Sequence, residues 1–221
     1  YYREACEGGS LVGCSNLGAR YEKGRGVTKD ESQAAKYYRE ACEGGHVWAC
    51  STIGQMYTVG RGVTKDELQA AKYHRKACEG GSLIGCGDLG YAYAKGRGVS
   101  KDRAKAVKLY KKACDGDIMK SCSNLGYMYM KGEGITKDYA QAAQYYKKAC
   151  YAAKPEFEAC ENLGVLYKSG GSGLSKSTSY AFTYYKKACD GGVLGACGDV
   201  GDLYKVGGTG LVKSYASAVT Y

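Results

Sequence analysis

A chain of 221 residues with 12 Cys, 34 Gly, 23 Tyr and a single Pro carries a formal net charge of +10. Leu, Ile, Val and Phe number 32 of the 221, too few at this charge for a conventional aliphatic core. Tyrosine, alanine and cystine must therefore supply much of the packing. No apolar run approaches the ~18 residues of a membrane helix, so no transmembrane segment is expected, and no signal-peptide pattern is present.

The chain opens on YYREAC, which recurs at 37–42 inside a longer pattern. Residues 1–8 thus read as the end of a truncated repeat, and Tyr221 aligns with Tyr184, so the sequence reads as a fragment of a longer array. The first complete unit predicts two helices. One runs from about Leu11 to Lys23, where Cys14, Leu17, Gly18 and Tyr21 make a helical stripe that Gly24 and Gly26 stop. Asp30 then caps a second helix, with Gln33 three residues on. That helix turns Ala34, Ala35, Tyr38, Ala41 and Cys42 inward, and Gly44 and Gly45 end it.

The pattern repeats along the chain. The leading cysteines fall at 6, 42, 78, 114, 150 and 189, and their partners at 14, 50, 86, 122, 160 and 197. LGARYEKGRGVTKD, IGQMYTVGRGVTKD, LGYAYAKGRGVSKD and LGYMYMKGEGITKD align without gaps, while LGVLYKSGGSGLSKS and VGDLYKVGGTGLVKS carry one extra residue in the glycine loop. Repeats are expected over about 9–44, 45–80, 81–116, 117–153, 154–191 and 192–221, in one array covering 1–221. Each hairpin needs its neighbours to bury its faces, which predicts an all-α, α/α solenoid or superhelix of about six helix–turn–helix units of 36–39 residues.

A repeat of the form AC…LGxxYxxGxGVxxD…AxxYYxxAC resembles the Sel1-like repeat, a relative of the tetratricopeptide repeat. The cysteine version resembles the Helicobacter cysteine-rich proteins. That resemblance implies a bacterial origin, host contact, and an association with penicillin binding and weak β-lactamase activity. The residues give the enzyme alternative little, since S-x-x-K, S-D-N and K-T-G are all absent. The nearest string, Thr183-Tyr184-Tyr185-Lys186, recurs as helix surface in other copies.

Each leading cysteine ends a second helix and its partner begins the next first helix, so a Gly-Gly turn brings the pair across a hairpin mouth. Zinc would need four converging ligands, and the chain has only His46 and His74 besides. A catalytic thiol would be singular and poised beside a base. Local disulfides are the expected answer: Cys6–Cys14, Cys42–Cys50, Cys78–Cys86, Cys114–Cys122, Cys150–Cys160 and Cys189–Cys197. Irregularity is expected in the fifth, longer loop, which holds Pro155. Structural disulfides point to maturation by a thiol oxidase in the periplasm or outside the cell. No metal, cofactor or catalytic residue is assigned, and a monomer is expected.

Function is expected where first-helix residues point away from the Cys–Leu–Tyr stripe. The candidates are Asn16 and Arg20; Trp48, Thr52 and Met56; Ile84, Asp88 and Tyr91; Asn124, Tyr127 and Met128; Asn162, Val165 and Leu166; and Asp199 and Leu203. The resemblance to tetratricopeptide-like stacks places this face on the concave side. Its mixture of aromatics, amides and carboxylates suits a protein or peptide partner. The competing reading is that part of the face, Met56, Val165 or Leu166, packs between repeats, and that the Asn/Asp positions bond across repeats. The lysines are interleaved with acids and sit at helix ends, where they complement the helix dipole, so no nucleic-acid partner is expected.

Overall fold

A computed structural model describes residues 1–207 and residue 214. The described residues are helical, apart from turns and an isolated antiparallel bridge between Gly171 and Leu174. They fall in two units, Tyr1–Gly116 and Asp117–Tyr221. The first unit holds α1 (Tyr2–Glu7), α2 (Leu11–Lys23), α3 (Glu31–Glu43), α4 (Val47–Val59), α5 (Glu67–Glu79), α6 (Leu83–Lys95) and α7 (Arg103–Asp115). The second holds α8 (Met119–Lys131), α9 (Tyr139–Cys150), α10 (Phe157–Ser169), α11 (Thr178–Asp190) and α12 (Leu194–Val206). Even-numbered helices are the first helices of the repeats and odd-numbered ones the second. Of the sixth repeat, α12 is described; the stretch 208–213 and Tyr221 lie outside the described residues.

The local signals act as chemistry requires. Asp30 Oδ1 accepts from the Ser32 and Gln33 amides at 2.9 Å, and Asp66, Asp102 and Asp138 each accept from the amide three residues on, at 2.9–3.0 Å. Such caps satisfy amides that the first helical turn cannot. Gly24, Gly60, Gly96 and Gly132 close α2, α4, α6 and α8 in the left-handed region, where a side chain is strained. Gly98 has a second reason to be glycine, because an added Cβ would overlap the Glu67 carbonyl of the preceding repeat. After α10 the longer glycine loop folds back through the Gly171–Leu174 bridge, and Ser172 O accepts from the Tyr139 amide at 3.0 Å.

The core is made of small residues and tyrosines. Ala34, Ala41 and Tyr38 are fully buried in the first unit, and Ala142, Ala149 and Tyr146 in the second. Tyr38 lies on Gly18 and Tyr146 on Gly126, where an added Cβ would stand about 3 Å from the ring. Glycine in the first helix thus makes room for an aromatic from the second. A further ring pair is stacked in most hairpins: Tyr21–Tyr37, Tyr57–Tyr73, Tyr129–Tyr145 and Tyr167–Tyr184, with centroids 5.5–5.7 Å apart. Burial raises the Tyr184 phenol to about 12, and burial likewise pushes Tyr110, Tyr146 and Tyr185 upward. These rings act as apolar filler.

Candidate functional site

None of the cysteines is free. Cys6–Cys14, Cys42–Cys50, Cys78–Cys86, Cys150–Cys160 and Cys189–Cys197 bridge the hairpin mouths with Cα separations of 4.5–5.0 Å. Cys114 and Cys122 are disulfide-bonded as well. The sulfurs of Cys6 and Cys14 lie near the Glu40 carboxylate, but a disulfide offers no thiolate to a metal. The two-residue insertion in CYAAKPEFEAC leaves its bridge in place. It ends α9 at Cys150 and puts Glu156, without a side-chain cap bond, at the N-cap of α10.

The first-helix face divides into residues that can meet a partner and residues that cannot. Met56 and Met128 are buried, at 0% and 2% exposure. They are packing residues, and the expectation that they contact a partner is corrected. Ala92, Leu166 and Leu203 occupy the same register and are buried too. Arg20, also in that register, is exposed and lies over the Tyr2 ring at 5.3 Å. Val165, in contrast, is exposed.

Three large side chains share another register in the first unit: Val12, Trp48 and Ile84, exposed by 57%, 53% and 48%. Trp48 packs at a steep angle against the Tyr38 ring, with centroids 5.6 Å apart, and is still half exposed. Counting 36 residues back from Trp48 adds Val12 to the candidates. Tyr91 is exposed beside this row, with the Arg97 guanidinium 5.2 Å from its ring.

The polar candidates in the first unit differ in how far they are engaged. Asn16 is exposed. Thr52 turns its hydroxyl back to the Trp48 carbonyl at 3.1 Å. Asp88 accepts from Gln55 of the preceding repeat at 3.3 Å and stands 3.6 Å from His74 Nδ1. In the second unit, Tyr127 is exposed under Lys131, and Asn124 and Asn162 are half-buried. Asp199 pairs with Lys168 at 3.0 Å. Both aspartates therefore bond across repeats. Burial beside Asp199 and Glu158 also holds the Glu161 carboxyl above its ordinary range.

No arrangement among the described residues supports the β-lactam alternative. Thr183 donates to the Ser179 carbonyl at 3.0 Å and Lys186 reaches Asp190 at 3.3 Å, so both serve their own helix.

The family model for the Sel1 repeat matches residues 11–46, 49–82, 84–117, 120–153 and 157–193. These matches start at or within a few residues of the starts of α2, α4, α6, α8 and α10. The chain belongs to the Sel1 repeat family. Among solved structures, a Sel1 repeat protein from Oxalobacter formigenes is 28% identical with a TM-score of 0.83, over 95% of this chain and 82% of that one. A protective antigen present in uropathogenic Escherichia coli strains, displaying an SLR fold, is 27% identical with a TM-score of 0.62; 99% of this Sel1 chain matches 54% of it. Cysteine rich protein B of Helicobacter pylori is 33% identical over 57% of this chain and 90% of that one, with a TM-score of 0.45. No curated protein matches the chain. Among the described residues, no helix is long and apolar enough to cross a membrane.

Proposed function

We propose that this Sel1 repeat chain is a scaffold, working as a monomer, that binds a peptide or protein segment on the exposed side of its first helices. The Val12, Trp48, Ile84 row and the adjoining Tyr91 of the first unit form the main contact surface. The observation that carries the reading is that row itself. Single exposed hydrophobics are ordinary on any protein, but three in one register, with a tyrosine beside them, make a patch that solvation alone does not favour. Tyr127 and Val165, with the amides of Asn124 and Asn162, offer a more polar surface of the same kind on the second unit.

The disulfides support maturation with a thiol oxidase in an oxidising compartment, secreted or periplasmic. The likeness to a protective antigen of uropathogenic strains supports a site of action at the cell envelope, in reach of a host.

Trp48 is the single tryptophan, so its emission reports directly on the surface. Peptides selected from a random library on the oxidised protein should shift Trp48 emission to shorter wavelength on binding. Replacing Ile84 and Tyr91 together by alanine should weaken binding about tenfold or more, roughly 1.4 kcal/mol. Selected peptides that bind without moving the emission, and bind the double variant equally, would contradict the assignment.

A further inference from the structure

In the repeat register the large ring buried against each first-helix glycine is Tyr38, Tyr110, Tyr146 and Tyr185, but the second complete repeat has His74. A paired exchange accompanies it. Tyr38 donates its hydroxyl to Glu22 at 2.8 Å, and Glu22 pairs with Arg61 at 2.7 Å. One repeat on, the residue in register with Glu22 is Thr58. Both replacements are shorter, and between α4, α5 and α6 they border a cavity of about 270 Å³. Ala70, Ala71 and Ala92 supply small apolar walls, and Asp88, Tyr91 and Arg61 also line it.

Of the two ring nitrogens of His74, one has a hydrogen-bond partner in the protein and one does not. Thr58 donates its hydroxyl to the Gly54 carbonyl at 3.0 Å and stands 3.3 Å from His74 Nε2, so while that bond holds its oxygen accepts from Nε2–H. In that tautomer Nδ1 carries a bare lone pair. His74 is 4% exposed, Nδ1 is buried without a hydrogen-bond partner in the protein, and the Asp88 carboxylate lies 3.6 Å away. In that tautomer two acceptors face each other, an arrangement that a donor entering between them favours; without one, the ring can carry its proton on Nδ1, towards Asp88. Burial holds the imidazole below its ordinary range against the opposing pull of Asp88, so the ring is neutral at neutral pH.

The charges point the same way. Arg61 is taken by Glu22, and Arg97 by Glu67 at 3.7 Å. Asp88 is left with a neutral imidazole and the Gln55 amide. Arg61 Nε, in contrast, is a buried donor without an acceptor. The cavity therefore asks for a cationic donor at Asp88 and His74 and for an oxygen acceptor at Arg61.

We propose that this cavity binds a primary ammonium group carried beside a carbonyl or carboxylate oxygen, as at the amino terminus of a peptide. The ammonium donates to His74 Nδ1 and Asp88, the oxygen accepts from Arg61, and the volume suits one residue rather than a large molecule. Asp88 and Tyr91 also belong to the first-helix face, so in placing a peptide end there the inference rests on the binding reading.

The test uses the oxidised full chain labelled with ¹⁵N-histidine, which gives two imidazoles, His74 and the control His46, an N-cap that accepts from the Ala49 amide. Trialanine, N-acetyl-trialanine and free alanine are titrated in turn. Trialanine is expected to move the His74 Nδ1 resonance saturably to the position of a ring nitrogen that accepts a hydrogen bond, leaving His46 in place. N-acetyl-trialanine, or trialanine on Asp88→Asn, is expected to bind about tenfold more weakly or worse.

A response to alanine equal to that of trialanine would keep the ammonium site and assign it to a free amino acid. No movement of His74 with either ligand, or equal movement with the acetylated peptide, overturns the proposal. The outcomes separate from those of the surface reading. A library-selected peptide that shifts Trp48 and binds His74→Tyr undiminished supports the surface and removes the cavity. Trialanine filling the cavity while no selected peptide shifts Trp48 does the reverse.

Discussion

In the first unit, the helices beginning at Leu11, Val47 and Leu83 are capped by side chains. Ser10, His46 and Ser82 accept from Gly13, Ala49 and Gly85 amides at 3.0–3.3 Å. In the second unit, the corresponding helices follow Ile118, Glu156 and Val193, and none of these makes a side-chain cap bond. Yet the bridges beside the caps have similar spans, with Cα separations of 4.5–4.7 Å in the first unit and 5.0 and 4.7 Å at Cys150–Cys160 and Cys189–Cys197 in the second. A covalent staple fixes the turn whether or not the first amides are capped, so the cap position is free to change.

A second difference concerns surface. The register of Val12, Trp48 and Ile84 holds Lys120, Glu158 and Gly195 in the second unit. The same backbone thus presents an apolar row in one unit and a polar one in the other.

Removing a staple tests the first difference with the largest effect. Cys42→Ser with Cys50→Ser should lower stability by about 2–3 kcal/mol, and Cys150→Ser with Cys160→Ser by nearly the same, because closure entropy changes slowly with loop length. Urea denaturation measures both. A much greater loss in the second unit would mean that missing caps make it depend more on its bridges.

Next come the buried phenols. Tyr38 donates to a carboxylate, whereas the Tyr146 hydroxyl is buried without a hydrogen-bond partner. Tyr38→Phe should destabilise by about 1–3 kcal/mol, while Tyr146→Phe should be neutral or stabilising. Thermal melts of the two variants would show it, and equal losses would break the contrast.

Acidification should single out the first unit, which holds both histidines. The folded-state value of His74 is lowered, chiefly by burial. Its contribution is therefore present above the unfolded value of about 6.5 and is lost as pH falls below it, by at most about 1.4 kcal/mol per pH unit. The groups around it are Asp88 from α6, Thr58 from α4, Glu67 from α5, and Arg61 and Arg97 from the loops. Hydrogen exchange at pH 7 and pH 5 should show α5 loosening, and His74→Tyr should remove the effect.

The caps give the smallest change. Ser82→Ala should cost about 1 kcal/mol, while Val193→Ser should return a few tenths, the new cap bond being offset by lost apolar contact.

Much of this was legible in the sequence, because glycine stops, aspartate caps and cysteine spacing are local signals. The helix expected over about Leu11 to Lys23 spans those residues. Met56 and Met128 were misplaced for a physical reason. Periodicity tells which side of a helix faces its own hairpin, but not how much of the other side the next repeat covers. Register carries that information, since Met56, Ala92, Met128, Leu166 and Leu203 share one apolar column, which Arg20 of the first repeat alone breaks. The His74 cavity was legible in the same way, as a histidine in a column of tyrosines, but its free nitrogen depends on where Thr58 sends its proton.

The most direct test of the binding surface is chemical-shift mapping of a library-selected peptide on ¹⁵N-labelled oxidised protein. The largest changes should fall at the Trp48 indole N–H and at Ile84, Asp88 and Tyr91 of the first unit. Largest changes at Lys120, Glu158 and Val165, or on the second helices, would contradict it.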